Sequence, residues 1–243
     1  MKGQDLFVPI IGEKVDAHRF IGQAFDQGAA AVFTSRHEEM DDADHAWIHV
    51  EDTRLALQAL GAWYRGRLTL PLVGITGSVG KTTTKDMIAL VVAQKYKTLK
   101  TQGNHNNEIG MPQTLFGLDS SYEAAVIEMG MSHQGEISRM SMSCQPDVAV
   151  ITNIGISHIE NLGTQENILK AKLEILDGAA YDAPLILCRD DKLLAGVQLH
   201  SDRKVYYYSV SKKDCDVYAS GVKTVDNSIT FTINYEGGKI AAR

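Results

Sequence analysis

The sequence predicts an α/β protein with a small N-terminal α/β domain, followed by a central domain whose sheet is mostly parallel with a few added antiparallel strands. Apolar runs such as AAVIEMG and DVAVITNIG end in glycine and do not alternate with polar residues, which is typical of parallel strands buried on both faces. These runs alternate with segments of helical pattern, and this order predicts βαβ units. After residue 203, the segments KVYYYSV, DVYASGVKTV and SITFTINYEGG predict adjacent strands and hairpins.

The N-terminal elements are short and alternate between strand and helix. We expect strands at residues 5–11 (DLFVPII) and 46–50 (AWIHV), and a helix followed by a strand within residues 18–35. A second helix is expected within residues 51–68. Its candidate core residues are Leu55, Leu57, Leu60 and Trp63.

The domain boundary is expected at residues 64–71 (YRGRLTLP), where charges, a glycine and a proline separate two patterned regions. We therefore predict one domain over residues 1–68 and another over residues 69–243. In the second domain, LVGIT and APLILC predict strands. TTKDMIALVVAQKY predicts a helix with Met87, Leu90 and Val91 on one side, and ENILKAKLEILDGA predicts a helix that Thr164 caps.

Composition favours an ordinary globular protein. The chain has 243 residues, 44% of them hydrophobic, and a formal net charge of -6, which argues against nucleic acid or an anionic membrane as the main partner. No apolar run approaches the ~18 residues of a membrane span, so we expect a cytoplasmic protein. We also expect a monomer. Cys144, Cys188 and Cys215 are widely spaced, which favours buried thiols over a disulfide framework or a zinc site.

The segment VGITGSVGKTTTKDM, residues 73–87, has the composition of a phosphate-binding loop between a strand and a helix. Glycines let successive N–H groups point at phosphate oxygens, and the helix N-terminus adds partial positive charge. Lys81 can reach the terminal phosphates, and the Thr82 hydroxyl can bind Mg²⁺. The usual spacing requires glycine where this chain has Ile75. The alternative is a glycine-rich turn that binds nothing.

Two further segments carry polar side chains at expected strand or loop ends. In QGNHNNEIGMPQTL, which begins at Gln102, four polar side chains crowd a loop before a helix: Asn104, Asn106, Asn107 and Glu108. A turn with a helix cap is the alternative. In VIEMGMSHQGEI, Glu128 lies near the end of a buried strand, where a carboxylate needs a cation or an ion pair. Mg²⁺ is one such cation. His133 is as consistent with a solvated loop.

A third segment, ITNIGISHIENLGTQENILKAKLEI, follows the next strand. Asn153 and His158 are expected at the same edge of the sheet as Glu128. His158 suits either a second cation or a structural role. Lys172 lies in the helix that follows, and its chemistry alone would predict an exposed lysine.

Taken together, these segments resemble the Mur ligase family of ATP-dependent amide-forming enzymes. The resemblance rests on GITGSVGKTTT, GNHNNEIGMPQTL, VIEMGMSHQGEI, ITNIGISHIENLG and AKLEI, in that order, and extends to LFVPIIGEKVDAHRF at the front. The motifs are most similar to the branch that joins D-alanyl-D-alanine to UDP-N-acetylmuramoyl-tripeptide. The resemblance implies a partial uridine-nucleotide domain over residues 1–68 and a P-loop, ATP-binding central domain, truncated at its C-terminal end, over residues 69–243.

The resemblance also implies a role for each site residue. A first set would bind the phosphates of ATP: Gly77, Ser78, Gly80, Lys81, Thr82, Thr83 and Asn153. Two Mg²⁺ ions would be held by Thr82, Glu128, His158 and Lys172, with Lys172 converted by CO₂ into a carbamate. The catalytic residues would be Lys81, His158 and Lys172. Asn104, Asn107, His133 and Gln134 would lie near the acceptor substrate.

The chain departs from the family pattern in several places. It lacks an expected Asp-Ser-Arg stretch upstream, has Ala17 where the branch usually has glycine, and has LCRDD in place of an Asn-containing turn. The adenine-contacting segment and the amine-supplying C-terminal domain are expected beyond Arg243. The sequence thus looks like a fragment, which we expect to bind nucleotide without completing ligation.

The implied reaction is ligation through an acyl phosphate. Three alternatives remain open at this point. One is another amide ligase of the superfamily, such as a diaminopimelate-adding or folylpolyglutamate-type enzyme. The second is a non-catalytic nucleotide-binding fragment. The third is a small-molecule kinase, which would leave the His158 and Lys172 segments unexplained.

Overall fold

The computed structural model describes residues 4–36, 44–199, 202–226 and 228–243. The first of its two sheets has three parallel strands in the order β1-β2-β3. The N-terminal elements are β1 (Asp5–Phe7), a 3-10 helix (Ala17–Phe20), α1 (Ile21–Asp26), β2 (Ala29–Thr34), β3 (Ala46–His49) and α2 (Thr53–Arg65). The expected alternation is confirmed, although β1 ends before Pro9, which cannot donate a ladder hydrogen bond.

Helix α2 buries a different face from the one that the sequence predicts. Leu57 is buried and Leu60 half-buried, but Leu55 and Trp63 are 54% and 59% exposed, so two of the four candidate core residues are wrong. The buried face is formed by Thr53, Leu57, Gln58, Gly61 and Arg65. Polar side chains lie on this face because α2 packs against helices of the second domain rather than against its own small sheet.

Arg65 shows why a charged residue is buried on this face. Its Nε donates to the Cys144 carbonyl at 2.9 Å, its Nη1 to the Leu68 carbonyl at 2.8 Å, and its Nη2 to Asp147 Oδ2 at 3.1 Å. The same carboxylate oxygen accepts the Leu72 N–H at 2.8 Å. Each buried donor is thereby satisfied, and the expected boundary segment is fixed to the second domain.

The second sheet has nine strands. The strands of this sheet and the helices between them begin with β4 (Leu72–Thr76), α3 (Lys81–Val92), β5 (Thr98–Lys100), α4 (Gly110–Phe116), β6 (Ala124–Glu128), α5 (Glu136–Cys144) and β7 (Val148–Ile151). They continue with α6 (Ile159–Leu162), α7 (Gln165–Leu173), β8 (Leu185–Cys188), α8 (Lys192–Ala195), β9 (Val205–Ser209), β10 (Val217–Val225), β11 (Ser228–Tyr235) and β12 (Gly238–Ala242).

The strand order is β12-β11-β10-β9-β8-β7-β4-β6-β5. Every pairing from β5 through β10 is parallel, and only β10–β11 and β11–β12 are antiparallel, so the predicted mostly parallel sheet with added antiparallel strands is confirmed. Strand β4 lies between β6 and β7. After β4, the chain forms β5 and β6 on one side of β4, and then β7 and all later strands on the other side. A crevice is therefore expected at the carboxyl end of β4.

Most of the core lies on one face of this sheet. Eight of its residues are 0% exposed: Leu72, Met111, Leu115, Ile127, Met140, Ile151, Ile168 and Ile175. Helix α3 covers the other face with Ala89, while Met87, Leu90 and Val91 are 60–73% exposed. These three residues do share one side of α3, but that side faces away from the sheet.

Several smaller expectations can be compared with the structure. Thr164 caps α7, since its Oγ1 accepts the Asn167 N–H at 3.2 Å. Cys144 is buried, but Cys188 and Cys215 are partly exposed, so the expectation of three buried thiols is wrong for two of them. Within the described residues, no helix has the length and apolar character needed to cross a membrane.

Candidate functional site

The loop at residues 77–80 joins β4 to α3 at the crevice. Gly80 has φ 76° and leads directly into α3 at Lys81. Gly77 has φ 153°, and a Cβ at this position would lie 1.8 Å from Thr152 Oγ1. A side chain therefore cannot replace this glycine unless the loop moves. Lys81 Nζ donates to the Gly77 carbonyl at 3.0 Å, so the ammonium group folds back along the loop.

The Asn153 side chain holds the backbone of the loop. Its Oδ1 accepts the Val79 N–H at 3.0 Å, and its Nδ2 donates to the Val79 carbonyl at 2.9 Å. Thr152 Oγ1 donates to the same carbonyl at 2.8 Å, and the Ser78 N–H donates to the Asn153 carbonyl at 3.0 Å. Asn153 was expected to contact a nucleotide; the observed contacts place it against the loop itself. Ser78 Oγ is buried without a hydrogen-bond partner among the described residues.

Glu128 ends β6 beside this loop and is 1% exposed. Its Oε1 accepts two hydrogen bonds, from Thr82 Oγ1 at 3.2 Å and from Asn106 Nδ2 at 2.9 Å. Its Oε2 is buried and has no hydrogen-bond partner among the described residues. Glu128 forms no ion pair with any of these residues either. The alternative of a salt-bridged glutamate is therefore wrong. A buried carboxylate oxygen without a donor is costly, and a cation would offset that cost.

A second layer of contacts orients Glu128. Its backbone N–H donates to Thr101 Oγ1 at 2.9 Å, and the Thr101 carbonyl accepts Lys85 Nζ at 2.8 Å. Both Thr101 and Lys85 are buried, at 0% and 3% exposed. Asp86 lies 3.3 Å from the same ammonium group. Lys85 thus connects α3, which follows the glycine-rich loop, to the segment that carries Asn106. Neither Thr101 nor Lys85 is among the site residues that the sequence predicts.

The side chains of the asparagine-rich loop, residues 104–108, make different contacts. Asn107 Oδ1 accepts the N–H groups of Ile109 and Gly110 at 3.1 and 2.9 Å, so it is the helix cap that the alternative interpretation described. Asn106 is the side chain that reaches Glu128, although only its neighbours Asn104 and Asn107 were selected as site residues. Asn104 is exposed. Neither propensity nor spacing distinguishes three neighbouring asparagines, because the direction of each depends on the loop.

His133 and Gln134 are exposed. His133 Nδ1 lies 3.4 Å from Glu136 Oε1, and 66% of its side chain is accessible. The nearby residues Ser132 and Glu136 instead line a cavity of about 450 Å³, which is described below. Glu136 Oε2 accepts the Ser132 N–H at 2.7 Å, which stabilises this turn.

His158 and Lys172 lie on the far side of the loop from Glu128's strand, after β7. His158 has φ 62° and precedes α6. Lys172 is 2% exposed, so the expectation of an exposed lysine is wrong. Burial, together with the nearby positive charge of Lys81, lowers the pKa of the Lys172 amine to about 7. Within the described part of the chain, neither side chain has a hydrogen-bond or ion-pair partner.

Parts of these segments line a cavity of about 450 Å³ between α2 and the carboxyl edge of the larger sheet, whereas Glu128 and Lys172 do not line it. Its lining includes Arg54 from α2, Lys81 and His158 from the second domain, and Asn106, Asn107 and Glu108 from the asparagine-rich loop. Thr82 and Thr83 are exposed at the start of α3. The structure therefore brings Lys81, His158 and Asn107 together at one cavity. Asn104, His133 and Gln134 do not line it.

The described residues contain no group of three or more His, Cys, Asp or Glu side chains arranged to hold a metal ion. The fit to a cation rests instead on the buried, unpartnered Glu128 Oε2 and on the Thr82 hydroxyl bonded to the other oxygen. Hard oxygen donors of this kind suit Mg²⁺, which usually keeps several waters and binds few protein ligands.

Comparison with known proteins agrees with this geometry. A family model described as the Mur ligase middle domain matches residues 75–243, and one described as the Mur ligase family, catalytic domain, matches residues 1–65. The chain belongs to the Mur ligase family. This Mur ligase chain is 42% identical over 233 residues to the UDP-N-acetylmuramoyl-tripeptide–D-alanyl-D-alanine ligase of Bacillus subtilis, covering 92% of the chain and 51% of that relative.

Solved structures give the same result. The chain matches MurF from Acinetobacter baumannii with a TM-score of 0.91 and 34% identity, over 99% of the chain and 52% of that protein. It matches the MurF ligase of Thermotoga maritima, solved in complex with ADP, with a TM-score of 0.89 and 29% identity, over 98% of the chain and 55% of that protein. This Mur ligase chain thus spans about half the length of the relatives it matches.

Proposed function

We propose that this chain supplies the nucleotide-binding and acid-activating part of an ATP-dependent amide ligase. The ligase would join D-alanyl-D-alanine to UDP-N-acetylmuramoyl-tripeptide in peptidoglycan precursor synthesis. The choice of this branch is supported by the name of the Bacillus subtilis relative and by the MurF structures. We also propose that residues 1–68 serve the uridine-nucleotide substrate, that residues 69–243 serve ATP, and that the protein acts as a cytoplasmic monomer.

One observation carries the proposal: the buried, unpartnered oxygen of Glu128 beside a phosphate-type loop. A glycine-rich turn that binds nothing gives no reason to bury a carboxylate next to a threonine hydroxyl. A site for a magnesium-bound triphosphate gives that reason, since Glu128 and Thr82 would hold the metal, whose charge would offset the buried carboxylate and neutralise phosphate charge.

The phosphate contacts would come from the loop and from the first turn of α3. Gly77, Ser78 and Gly80 would present backbone N–H groups, and Thr82 and Thr83 would lie at the positive end of the helix. Lys81 Nζ would exchange its bond to the Gly77 carbonyl for one to a terminal phosphate. Asn153 would act through the loop, because both ends of its amide group already hold Val79.

Thr82 and Glu128 would hold one Mg²⁺, and His158 with carbamylated Lys172 a second. Bound there, these ions would neutralise the repulsion between a carboxylate and the triphosphate. The carbamate would form when the neutral Lys172 amine attacks CO₂: an N–C bond forms, one C–O π bond breaks to leave a negatively charged oxygen, and the nitrogen loses a proton to solvent. Burial of Lys172 without a partner and its lowered pKa support this step, because both favour the neutral amine.

The reaction would begin when the acceptor carboxylate attacks the γ-phosphorus, forming an acyl phosphate and breaking the bond to ADP. The amine of D-alanyl-D-alanine would then attack the acyl carbonyl, and phosphate would leave. Lys81 would stabilise charge on the transferring group. Asn107 lines the cavity and would lie on the acceptor side. Asn104, His133 and Gln134 remain predictions for the same role.

The experiment is to supply the 243-residue chain with ATP, Mg²⁺ and both substrates, and to measure ATP affinity, ADP release and the amide product. We expect magnesium-dependent ATP binding. We expect no amide product, since the chain matches about half of each relative. A chain that does not bind ATP would contradict the proposal, and a stable phosphorylated acceptor would favour a kinase.

A further inference from the structure

Arg54 is a cationic side chain that has no role in the proposed nucleotide and metal site. Arg54 belongs to the N-terminal domain, yet it lines the 450 Å³ cavity together with Lys81 and His158. It also lines a second cavity of about 280 Å³, formed with Ile10, Ser35 and Glu51 of its own domain. Arg54 therefore lies where the two cavities meet.

The backbone of Arg54 is held on both sides. Asp52 Oδ1 accepts the N–H groups of Arg54 and Leu55 at 2.7 and 3.0 Å, and Thr53 Oγ1 donates to the Pro9 carbonyl at 2.5 Å. One turn later, on the same face of α2, Gln58 Nε2 donates to Glu108 Oε1 at 3.3 Å. Arg54 is thus fixed toward the second domain by its neighbours, without using its own side chain.

The guanidinium group itself has no hydrogen-bond or ion-pair partner within the residues that the structure describes. The carboxylates in the same cavity are already engaged: Glu108 pairs with Arg139 and Gln58, and Glu136 accepts the Ser132 N–H. A partly buried guanidinium offers a planar pair of donors that fits two oxygens of one anionic group. The Arg54 guanidinium, with Lys81 in the same cavity, is therefore free to pair with an anionic group that enters the cavity.

We infer that Arg54 binds an anionic group of the acceptor substrate, a carboxylate or a diphosphate, as that substrate passes from the N-terminal cavity to the phosphate loop. The inference rests on the proposed function, because it assumes an acceptor that extends across both domains. It adds a residue that selects an acidic acceptor and that makes no contribution to ATP binding.

The test is calorimetric binding of UDP-N-acetylmuramoyl-tripeptide to the 243-residue chain and to three variants. Arg54→Gln removes the charge, Arg54→Lys retains it without the paired donors, and Arg67→Gln removes an exposed arginine that lies beyond the end of α2. We expect Arg54→Gln to weaken acceptor binding about 10- to 100-fold. Arg54→Lys should recover part of the loss, and Arg67→Gln should behave like the unchanged chain.

ATP affinity separates the two proposals. It should stay within about twofold of the unchanged chain in Arg54→Gln, and the thermal midpoint within a few degrees, because the side chain has no internal partner. Failure of the unchanged chain to bind ATP would contradict the proposed function, while a loss of acceptor binding in Arg54→Gln would still support the inference. Equal acceptor affinity in Arg54→Gln, or no acceptor binding by the unchanged chain, would overturn it.

Two further ligands distinguish the anionic groups. UDP alone carries the diphosphate, and the free tripeptide carries the carboxylates. A 10-fold or larger loss for UDP in Arg54→Gln assigns the diphosphate, and a loss for the tripeptide assigns a carboxylate. Weakening of ATP by the same factor as the acceptor would count against the inference, because it would indicate a general disturbance of the cavity.

Discussion

The candidate site has a loop side, formed by residues 77–82 with Glu128 and Asn153, and a Lys172 side, formed by His158 and Lys172. The two sides differ. On the loop side, hydrogen bonds within the chain already fix the backbone, and one carboxylate oxygen remains without a donor. On the Lys172 side, an imidazole and a buried amine have no partner among the described residues. The loop side is therefore preorganised by the fold, whereas the Lys172 side depends on ligands to complete it.

This difference has an energetic consequence. Preorganised donors and acceptors need little rearrangement when a ligand binds, so the loop side can supply affinity. A buried amine without a partner destabilises the folded chain at neutral pH, and a modification or a metal would offset that cost. Variants on the loop side should consequently lower ligand affinity, whereas loss of the Lys172 amine should remove a pH-dependent cost to the stability of the folded chain.

The largest effect is expected at Gly77. Gly77→Ala would place a Cβ 1.8 Å from Thr152 Oγ1, and the loop would have to move away from Thr152 and Asn153. We expect ATP affinity, measured by calorimetry, to fall at least about 100-fold, since several preorganised N–H donors are displaced together. Gly22→Ala is the matched control, because no atom lies within 4 Å of its added Cβ. Full ATP affinity in Gly77→Ala would show that the loop does not bind phosphate.

The next effect concerns the metal. Glu128→Gln keeps the shape of the side chain and its acceptor for Thr82 and Asn106, but removes the charge. We expect the Mg²⁺ concentration for half-maximal ATP binding to rise about 10- to 100-fold. The free energy of unfolding should not fall, because a buried charge is removed. An unchanged Mg²⁺ requirement would exclude Glu128 from the metal site.

At Lys172 the expected effect is on the pH dependence of stability. Its folded-state pKa of about 7 lies below the ordinary value of 10.5, so the unfolded chain binds an extra proton between these values. The stability of the unchanged chain should therefore rise with pH in this window, by about 1 kcal/mol per pH unit relative to Lys172→Met. Urea denaturation between pH 7.5 and 9.5 in CO₂-free buffer measures this difference. Parallel stability curves for the two proteins would mean that Lys172 is not held as a buried amine.

A smaller effect is expected at Thr101, which lies behind the loop side. Thr101→Val removes the oxygen that accepts the Glu128 N–H at 2.9 Å and leaves that buried donor unpaired. We expect a loss of about 1–3 kcal/mol in the free energy of unfolding. The Mg²⁺ requirement should rise by a factor of a few, because Glu128 is less well oriented. Thr98→Val, at a partly exposed position in β5 three residues before Thr101, is the control.

The sequence was sufficient for the fold class because buried parallel strands and their glycine ends leave strong patterns. It also led to the loop, Glu128 and His158, since each follows a strand at one edge of the sheet. Short elements such as β5 and α6 have too few residues to establish a period. The face of α2 could not be predicted, because Gln58 and Arg65 are buried by partners from distant segments.

Side-chain direction explains the remaining differences at the site. Asn106 reaches Glu128, while Asn107 caps α4, and only the path of the loop separates these roles. Lys85 and Arg54 appear in sequence as ordinary helix-surface cations. Their positions follow from the packing of α3 on β5 and of α2 on the second domain, and neither contact has a local sequence signal.

The central claim is that a magnesium-bound triphosphate lies between the loop and Glu128. Its most direct test is a crystal structure of the chain with an ATP analogue and Mn²⁺, with anomalous diffraction to locate the metal. We expect an anomalous peak about 2–2.5 Å from both Glu128 Oε2 and Thr82 Oγ1, adjacent to the phosphates. A nucleotide bound elsewhere, or a metal that contacts neither residue, would contradict the account.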